Sequence, residues 1–225
     1  MRAISSMATR HLLADLAARA ADAGFGLLEI ESVGGVDAAR RVAAGVPFDL
    51  VFLAADALER LAAAGHVDAA SVTPIAVSQV AVAVPGAGSI DGPAFADAAG
   101  VREALRAATR IGFSTGPSGT ALRALIEEWG LSAEIGDRLV QARAGVPVAQ
   151  LLADGEVDLG FQQLSELAGQ PGIRILGTLP RDCAIDTVFA GAVTTDSRAA
   201  RGLLAFFGGR AAASVVRAHS FDPPA

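Results

Sequence analysis

Short apolar runs alternate along this chain with longer segments whose apolar residues recur every three or four positions. The runs read as strands and the segments as helices. The spacing predicts strands at residues 3–5, 27–32, 48–54, 111–114, 139–142, 159–161 and 173–176. It predicts helices over 9–23, 36–44, 94–107, 118–129, 146–153, 197–207 and 210–218. Gly24, Gly45 and Gly65 stand where successive helices must stop, as C-terminal glycines do. Residues 75–84 and 184–193 are longer extended runs that interrupt the alternation. The first is followed by a stretch, GAGSIDGP, with turn chemistry. This is the pattern of an α/β protein built from two parallel-sheet units joined by two crossings, with the final helices returning to the first unit. The expected division is residues 1–79 plus 189–225 for lobe 1 and 80–188 for lobe 2.

Composition narrows the functions open to such a fold. Charged residues break every apolar run before the ~18 residues that a membrane span needs, so no membrane insertion is expected. A formal charge of −6 with scattered arginines makes no basic stripe, which argues against nucleic acid. Lysine, asparagine and tyrosine are absent, removing Schiff-base and P-loop lysines and tyrosine acids. The single cysteine, Cys183, excludes an internal disulfide and a cysteine-based zinc site. No His, Asp and Glu spacing argues for a metal, and no cofactor is expected. Arg10, His11 and Asp15 stand where a secretory signal would need an apolar stretch. The expectation is a cytoplasmic protein, or a periplasmic one whose leader has been removed.

The densest chemistry lies in RIGFSTGPSGTALRALIEEWGL, residues 110–131, where a strand enters a Ser/Thr/Gly turn that opens directly into an amphipathic helix. Free N–H groups and the positive dipole end make such a helix start a seat for an anion. A P-loop would need Gly-Lys-Ser/Thr where Ser118-Gly119-Thr120 stands, so the seat suits a small anion or carboxylate. The other strand-to-helix turns are Ser5-Ser6-Met7, residues 32–35, Ala54-Ala55, residues 143–147 and residues 162–165. They are rich in hydroxyls, glycine and amides, and a ligand cleft would lie at these strand ends, between the lobes.

These residues carry a resemblance. Ser5-Ser6, GGVDAARRVAAGVPFDLVFLA (34–54), STGPSG (114–119) and GEVDLGFQQLSEL (155–167) make the chain similar to the molybdate-type periplasmic solute-binding proteins of ABC transporters. The last two motifs resemble a branch of that family that includes aconitate isomerase. The resemblance implies the type II periplasmic-binding-protein fold, two α/β lobes joined by a double crossover with a ligand cleft between them. It also implies a small anionic ligand, an oxyanion or an organic di- or tricarboxylate, and an ABC transporter permease as partner. The implied ligand-binding residues are Ser5, Ser6, Gly34, Gly35, Ala54, Ser78, Ser114, Thr115, Ser118, Gly119, Arg143, Gln162 and Gln163. One departure is the stretch from Ala184 to Val188, which lacks the tyrosine that molybdate binders of this kind present.

Competing readings stay open. Ser118 could be an ordinary helix cap, Ser5 and Ser6 likewise, and Gln162-Gln163 a satisfied loop. Arg40 and Arg41 read as a solvated helix face, with Arg143 better placed for a carboxylate. If the chain is an isomerase, Asp186, Glu166 and His11 are the titratable residues nearest the turns. Residues 112–116 match the Gly-x-Ser-x-Gly elbow of serine hydrolases, a remote reading because the only later histidine, His219, lies in a tail, HSFDPPA, that reads as frayed. A bulky residue at position 118, or Gly119→Val, is expected to abolish binding and leave the fold intact.

Overall fold

A computed structural model describes residues 1–86, 94–143 and 145–224; the turn read at GAGSIDGP lies largely outside them. The chain forms two compact units, Met1–Ser78 with Thr187–Ala225 and Gln79–Asp186. It passes from one to the other twice.

Unit 1 begins β1 (Arg2–Ser6), α1 (Arg10–Asp22), β2 (Glu29–Val33), α2 (Gly35–Ala43), β3 (Leu50–Ala54), α3 (Ala55–Ala63), and then enters β4 (Thr73–Pro85). Strands β2, β1 and β3 are parallel neighbours in that order. Side chains alternate across the sheet, and both faces are covered, which is why β3 reads LVFLA without a polar residue. Leu50 and Phe52 pack with Leu12, Leu13 and Leu16 of α1. Ile4, Val51 and Leu53 pack with Val42, Leu58 and Leu61 beneath α2 and α3. Gly45 and Gly65 end α2 and α3 at φ 77° and 75°, a conformation that costs glycine least.

Unit 2 takes the second half of β4, then α4 (Ala98–Ala107), β5 (Ile111–Phe113), α5 (Pro117–Glu128), α6 (Ser132–Ile135), β6 (Leu139–Gln141), α7 (Val148–Ala153), β7 (Leu159–Gln163), α8 (Leu164–Leu167) and β8 (Ile173–Thr178). Strands β6, β5 and β7 run parallel, and β4 joins antiparallel to β7 and β8. Ile111 and Phe113 pack with Leu122 and Ile126 of α5. The opposite face is pressed so close to α7 that two strand positions must be glycine. A Cβ at Gly112 would lie 2.9 Å from Val157 and 3.2 Å from Val148, and one at Gly160 would lie 2.8 Å from Leu152 and Val148. The first glycine of the hydrolase-like pattern is therefore explained by packing.

The entry to β5 is held by Asp158, whose carboxylate accepts the N–H groups of Thr109 and Arg110, both at 2.8 Å. Partial burial pushes its pKa up, but these backbone donors outweigh that and hold it below the ordinary range. A depressed folded-state pKa contributes stability above the unfolded value of ~3.9 and loses it as pH falls through the folded value. Asp158→Asn is expected to cost about 1 kcal/mol at pH 7, small because the group is partly exposed, and to cost less at pH 3. Urea unfolding of both proteins at the two pH values checks this.

The chain returns to unit 1 through β9 (Asp186–Val193), antiparallel to β3, and ends in α9 (Arg198–Phe207) and α10 (Ala213–Ala218). Phe52 stacks on Phe207 with ring centroids 5.7 Å apart. The tail expected to fray is docked instead. Phe221 is buried and packs edge-on to Phe189, Asp222 exchanges backbone hydrogen bonds with Val77, and His219 Nε2 lies 2.8 Å from Asp15 Oδ2. One buried aromatic overrides the polar, proline-rich look of HSFDPPA. Cys183 is buried in the core of unit 2, and loss of solvent, helped by Asp182, pushes its thiol up to about 11. It is inert near neutral pH.

Candidate anion-binding site

In unit 1 the parallel strands β2, β1 and β3 end together, with Ser6 in register with Val33 and Ser5 with Phe52. Helix α2 starts after Gly34 and α3 after Ala54, and neither start has a side-chain cap. Their first amide groups are therefore left to solvent or a ligand. Two other helices are capped: Asp97 accepts from Ala99 and Gly100 at the start of α4, Asp182 accepts from Ala98, and Ser197 caps α9, whereas α1 starts without a side-chain cap. Omitting a cap forgoes about 1 kcal/mol per helix.

The two serines closing β1 differ. Ser5 is fully buried and its hydroxyl lies 2.8 Å from that of Ser32 on β2, so its hydrogen bond stays within the sheet. Ser6 is 8% exposed, and its Oγ is buried with no hydrogen-bond partner among the described residues. The start of α2 lies against Ser6: a Cβ built at Gly35 would stand 3.7 Å from Ser6 Cβ, an ordinary contact. An orphaned hydroxyl beside free amide donors is a polar seat without a native partner.

Unit 2 repeats the arrangement with different residues. Strand β5 ends at Phe113, and the turn through Ser114, Thr115 and Gly116 leads into α5 with Pro117 at its first position and no side-chain cap. Ser118 does not cap the helix; its Oγ lies 2.9 Å from Ser114 Oγ. Thr115 is exposed in the same turn. Gly119 is a tight contact: a Cβ there would stand 1.9 Å from the carbonyl oxygen of Ser114. Gly119→Val cannot leave the fold intact, contrary to the expectation from sequence, because the helix start rests against the preceding turn.

The neighbouring strands bring other candidates to this end of the unit 2 sheet. Ala142 N–H donates to the Phe113 carbonyl, which carries the β6–α7 turn and exposed Arg143 alongside Ser114. Gln162 is buried and committed to the fold: its Oε1 accepts from Val148 N–H at 2.8 Å, and its Nε2 donates to Glu166 Oε2 at 3.1 Å. It caps α7 from the side and ties β7 to α8. Gln163 is buried at the last position of β7, in register with Val80. Ser78 is buried in β4, where the chain leaves unit 1.

The remaining cations and acids sort plainly. Arg40 pairs with Asp37, and Arg41 grips Glu31 with both amino groups while lying over the Phe48 ring, so both stay on the α2 surface. That bond to Arg41 holds the Glu31 carboxyl below its ordinary range. His11 is exposed beside Arg10, and Asp186 is exposed at the start of β9. Half-buried Glu166 lies in α8, directly after β7, where its carboxylate accepts from the Gln162 amide. No group of three or more possible metal-ligating side chains occurs among the described residues. A hollow of about 240 Å³ lies between α7 and the segment from Gln170 to Gly172.

Comparison with solved structures defines the class. The substrate-binding domain of a putative molybdenum ABC transporter from Clostridium difficile superposes with a TM-score of 0.79 at 13% identity, covering 100% of this chain and 99% of that one. The periplasmic molybdate-binding protein of Azotobacter vinelandii gives 0.77 at 20% identity, with 100% of both chains covered. At these identities the likeness is one of fold, the type II periplasmic-binding-protein fold that the motifs implied. The family model for bacterial extracellular solute-binding proteins matches residues 1–222, and the chain belongs to that family. An aconitate isomerase from a Pseudomonas species is 33% identical over 192 residues, which cover 81% of this chain and 70% of the relative.

Proposed function

We propose that this chain is a solute receptor for small anions, with a candidate seat of neutral donors at the strand ends of each unit. It would serve an ABC transporter permease on the periplasmic side of the membrane. The observation that carries the reading is the buried, unpartnered Ser6 Oγ beside the uncapped start of α2. The hydroxyl pair Ser114–Ser118 before the uncapped α5 supports it in unit 2. Hydroxyl and amide donors oriented by rigid strand ends favour an anion without the desolvation cost of a buried cation. Thr115, Gly34, Gly35, Ala54 and Gly119 would contribute backbone approach, and Arg143 charge. Gln162 would act by holding the turns in place.

A second reading is favoured by the 33% identity to an aconitate isomerase. Such an enzyme would take a proton from one carbon of an allylic tricarboxylate and return one to another, with Glu166 as its acid or base. Calorimetric titration with molybdate, tungstate, sulfate, citrate and both aconitate isomers, with the aconitates followed by chromatography, separates the two. Binding without turnover is the expected result for a receptor, and interconversion of the aconitates would make the protein an isomerase. Silence across the whole panel would overturn the anion reading.

A further inference from the structure

Helix α7 has no side-chain cap of its own at Pro147. Its first N–H, that of Val148, is satisfied from β7 instead: Gln162 Oε1 accepts it at 2.8 Å, and Gln162 Nε2 donates to Glu166 Oε2 at 3.1 Å. Gly160 and Gln162 stand two residues apart on β7 and share the face that meets α7. A Cβ at Gly160 would lie 2.8 Å from both Val148 and Leu152, so this face seats the helix by close packing and also holds its first amide. The turn before the helix is fastened at its other end, where Ala142 N–H donates to the Phe113 carbonyl, and Val146 N–H closes it on the Arg143 carbonyl. The β6–α7 turn with Arg143 is therefore held between one fastening on β5 and one on Gln162.

We infer that Glu166 is a positioning residue: acting through the Gln162 amide, it fixes the start of α7 and with it the turn that carries Arg143 alongside Ser114. A side-chain amide has a direction, because its oxygen only accepts and its nitrogen only donates. Val148 N–H needs the oxygen, so the nitrogen of this buried side chain faces α8 and needs a partner that accepts. The Glu166 carboxylate is that partner. Turning the amide over would set Nε2 against the Val148 N–H and Oε1 against the Glu166 oxygen, replacing two hydrogen bonds by two repulsive contacts. One carboxylate in α8 thus sets the orientation of a cap on α7. Its effect on affinity rests on the anion reading above; its effect on Val148 does not. Holding an amide is also a different task from the proton transfer of the isomerase reading, and the two can be separated.

The test compares wild type, Gln162→Glu, Glu166→Gln and the double variant carrying both changes, by hydrogen exchange at the Val148 amide and by calorimetric titration with molybdate and cis-aconitate. Gln162→Glu sets two carboxylates against each other. Val148 exchange is expected to rise and anion affinity to fall, each about tenfold. Glu166→Gln keeps an acceptor, its carbonyl oxygen, at position 166. The double variant rebuilds both hydrogen bonds with the carboxylate moved to position 162. Both should keep Val148 protected and bind within about threefold of wild type. Should Gln162→Glu alone fail to fold, a thermal melt shows it, and recovery of fold and affinity in the double variant reports the same pairing. Weak binding, or loss of aconitate interconversion that wild type performs, in Glu166→Gln or the double variant with Val148 still protected would mean that the carboxylate at 166 meets the ligand itself. That result, or wild-type exchange and affinity in Gln162→Glu, would overturn the positioning role and leave the anion reading standing. Wild-type protein that binds neither probe would count against the anion reading, while the exchange pattern at Val148 still decides whether Glu166 sets the cap.

Discussion

Gly119→Val is expected to lower the stability of the protein by about 3 kcal/mol or more, the largest loss from any single change in the polar turns. The added Cβ would meet the Ser114 carbonyl oxygen at 1.9 Å, the Ser114 carbonyl carbon at 2.8 Å and the Phe113 ring at 3.1 Å. Two of these atoms are backbone, so no rotamer change relieves the overlap. The turn must withdraw from the start of α5 or the helix must lose its first turn. Gly119→Ala carries the same Cβ and should show most of the effect. Gly116 supplies the control within the same turn: it has φ −83°, and nothing lies within 4 Å of a Cβ built there, so Gly116→Ala should change stability by less than about 0.5 kcal/mol. Urea unfolding of the three variants decides it, and Gly119 variants as stable as the wild type would contradict this packing.

Ser6→Ala should move stability and affinity in opposite directions. Among the described residues the buried Ser6 hydroxyl has no hydrogen-bond partner, which costs on the order of 1–3 kcal/mol. Removing it should raise unfolding stability by about 1 kcal/mol while weakening anion binding at least tenfold, since a hydrogen bond to a charged group contributes about 1.5–3 kcal/mol. Ser5→Ala is the contrasting variant. It strands the Ser32 hydroxyl 2.8 Å away and should destabilise the sheet by about 1 kcal/mol. Unfolding curves and titrations of the two variants distinguish a ligand seat from a merely structural serine. Loss of stability in Ser6→Ala with unchanged affinity would assign Ser6 to the fold alone.

Much of the architecture is legible in the residues themselves. Strands buried on both faces leave unbroken runs such as LVFLA, and glycines mark where α2 and α3 stop. The α5 start is announced by its Ser/Thr/Gly turn, although Pro117 rather than Ser118 takes the first helical position. The sequence marks α3 only by its stop at Gly65, and the helices α6 and α8 not at all, since four residues are too few to show a helical period.

The site was legible in outline and hidden in detail, because hydrogen-bond partners depend on strand register. Ser5 and Ser6 look interchangeable in sequence, and only the pairing of β1 with β2 gives one of them Ser32 and leaves the other unmatched. Gln162 looked like a ligand donor, yet its amide ties Val148, at the start of α7, to Glu166 in α8, and the first of these partners lies in an element sequence does not place beside it. The turn glycines raised the opposite difficulty: Gly119 signals close approach, but whether of a ligand or of the protein's own carbonyl is a matter of packing.

The central claim, that an anion sits at the uncapped helix starts, is tested most directly by mapping backbone amide resonances of the wild-type protein as each anion of the titration panel is added. Saturable shifts are expected to be largest at Gly35, Val36 and Ser118, whose N–H groups open α2 and α5. Saturable shifts centred instead on Gln150, Gln170 and Gly172 around the hollow beside α7, with those three amides unmoved, would contradict it.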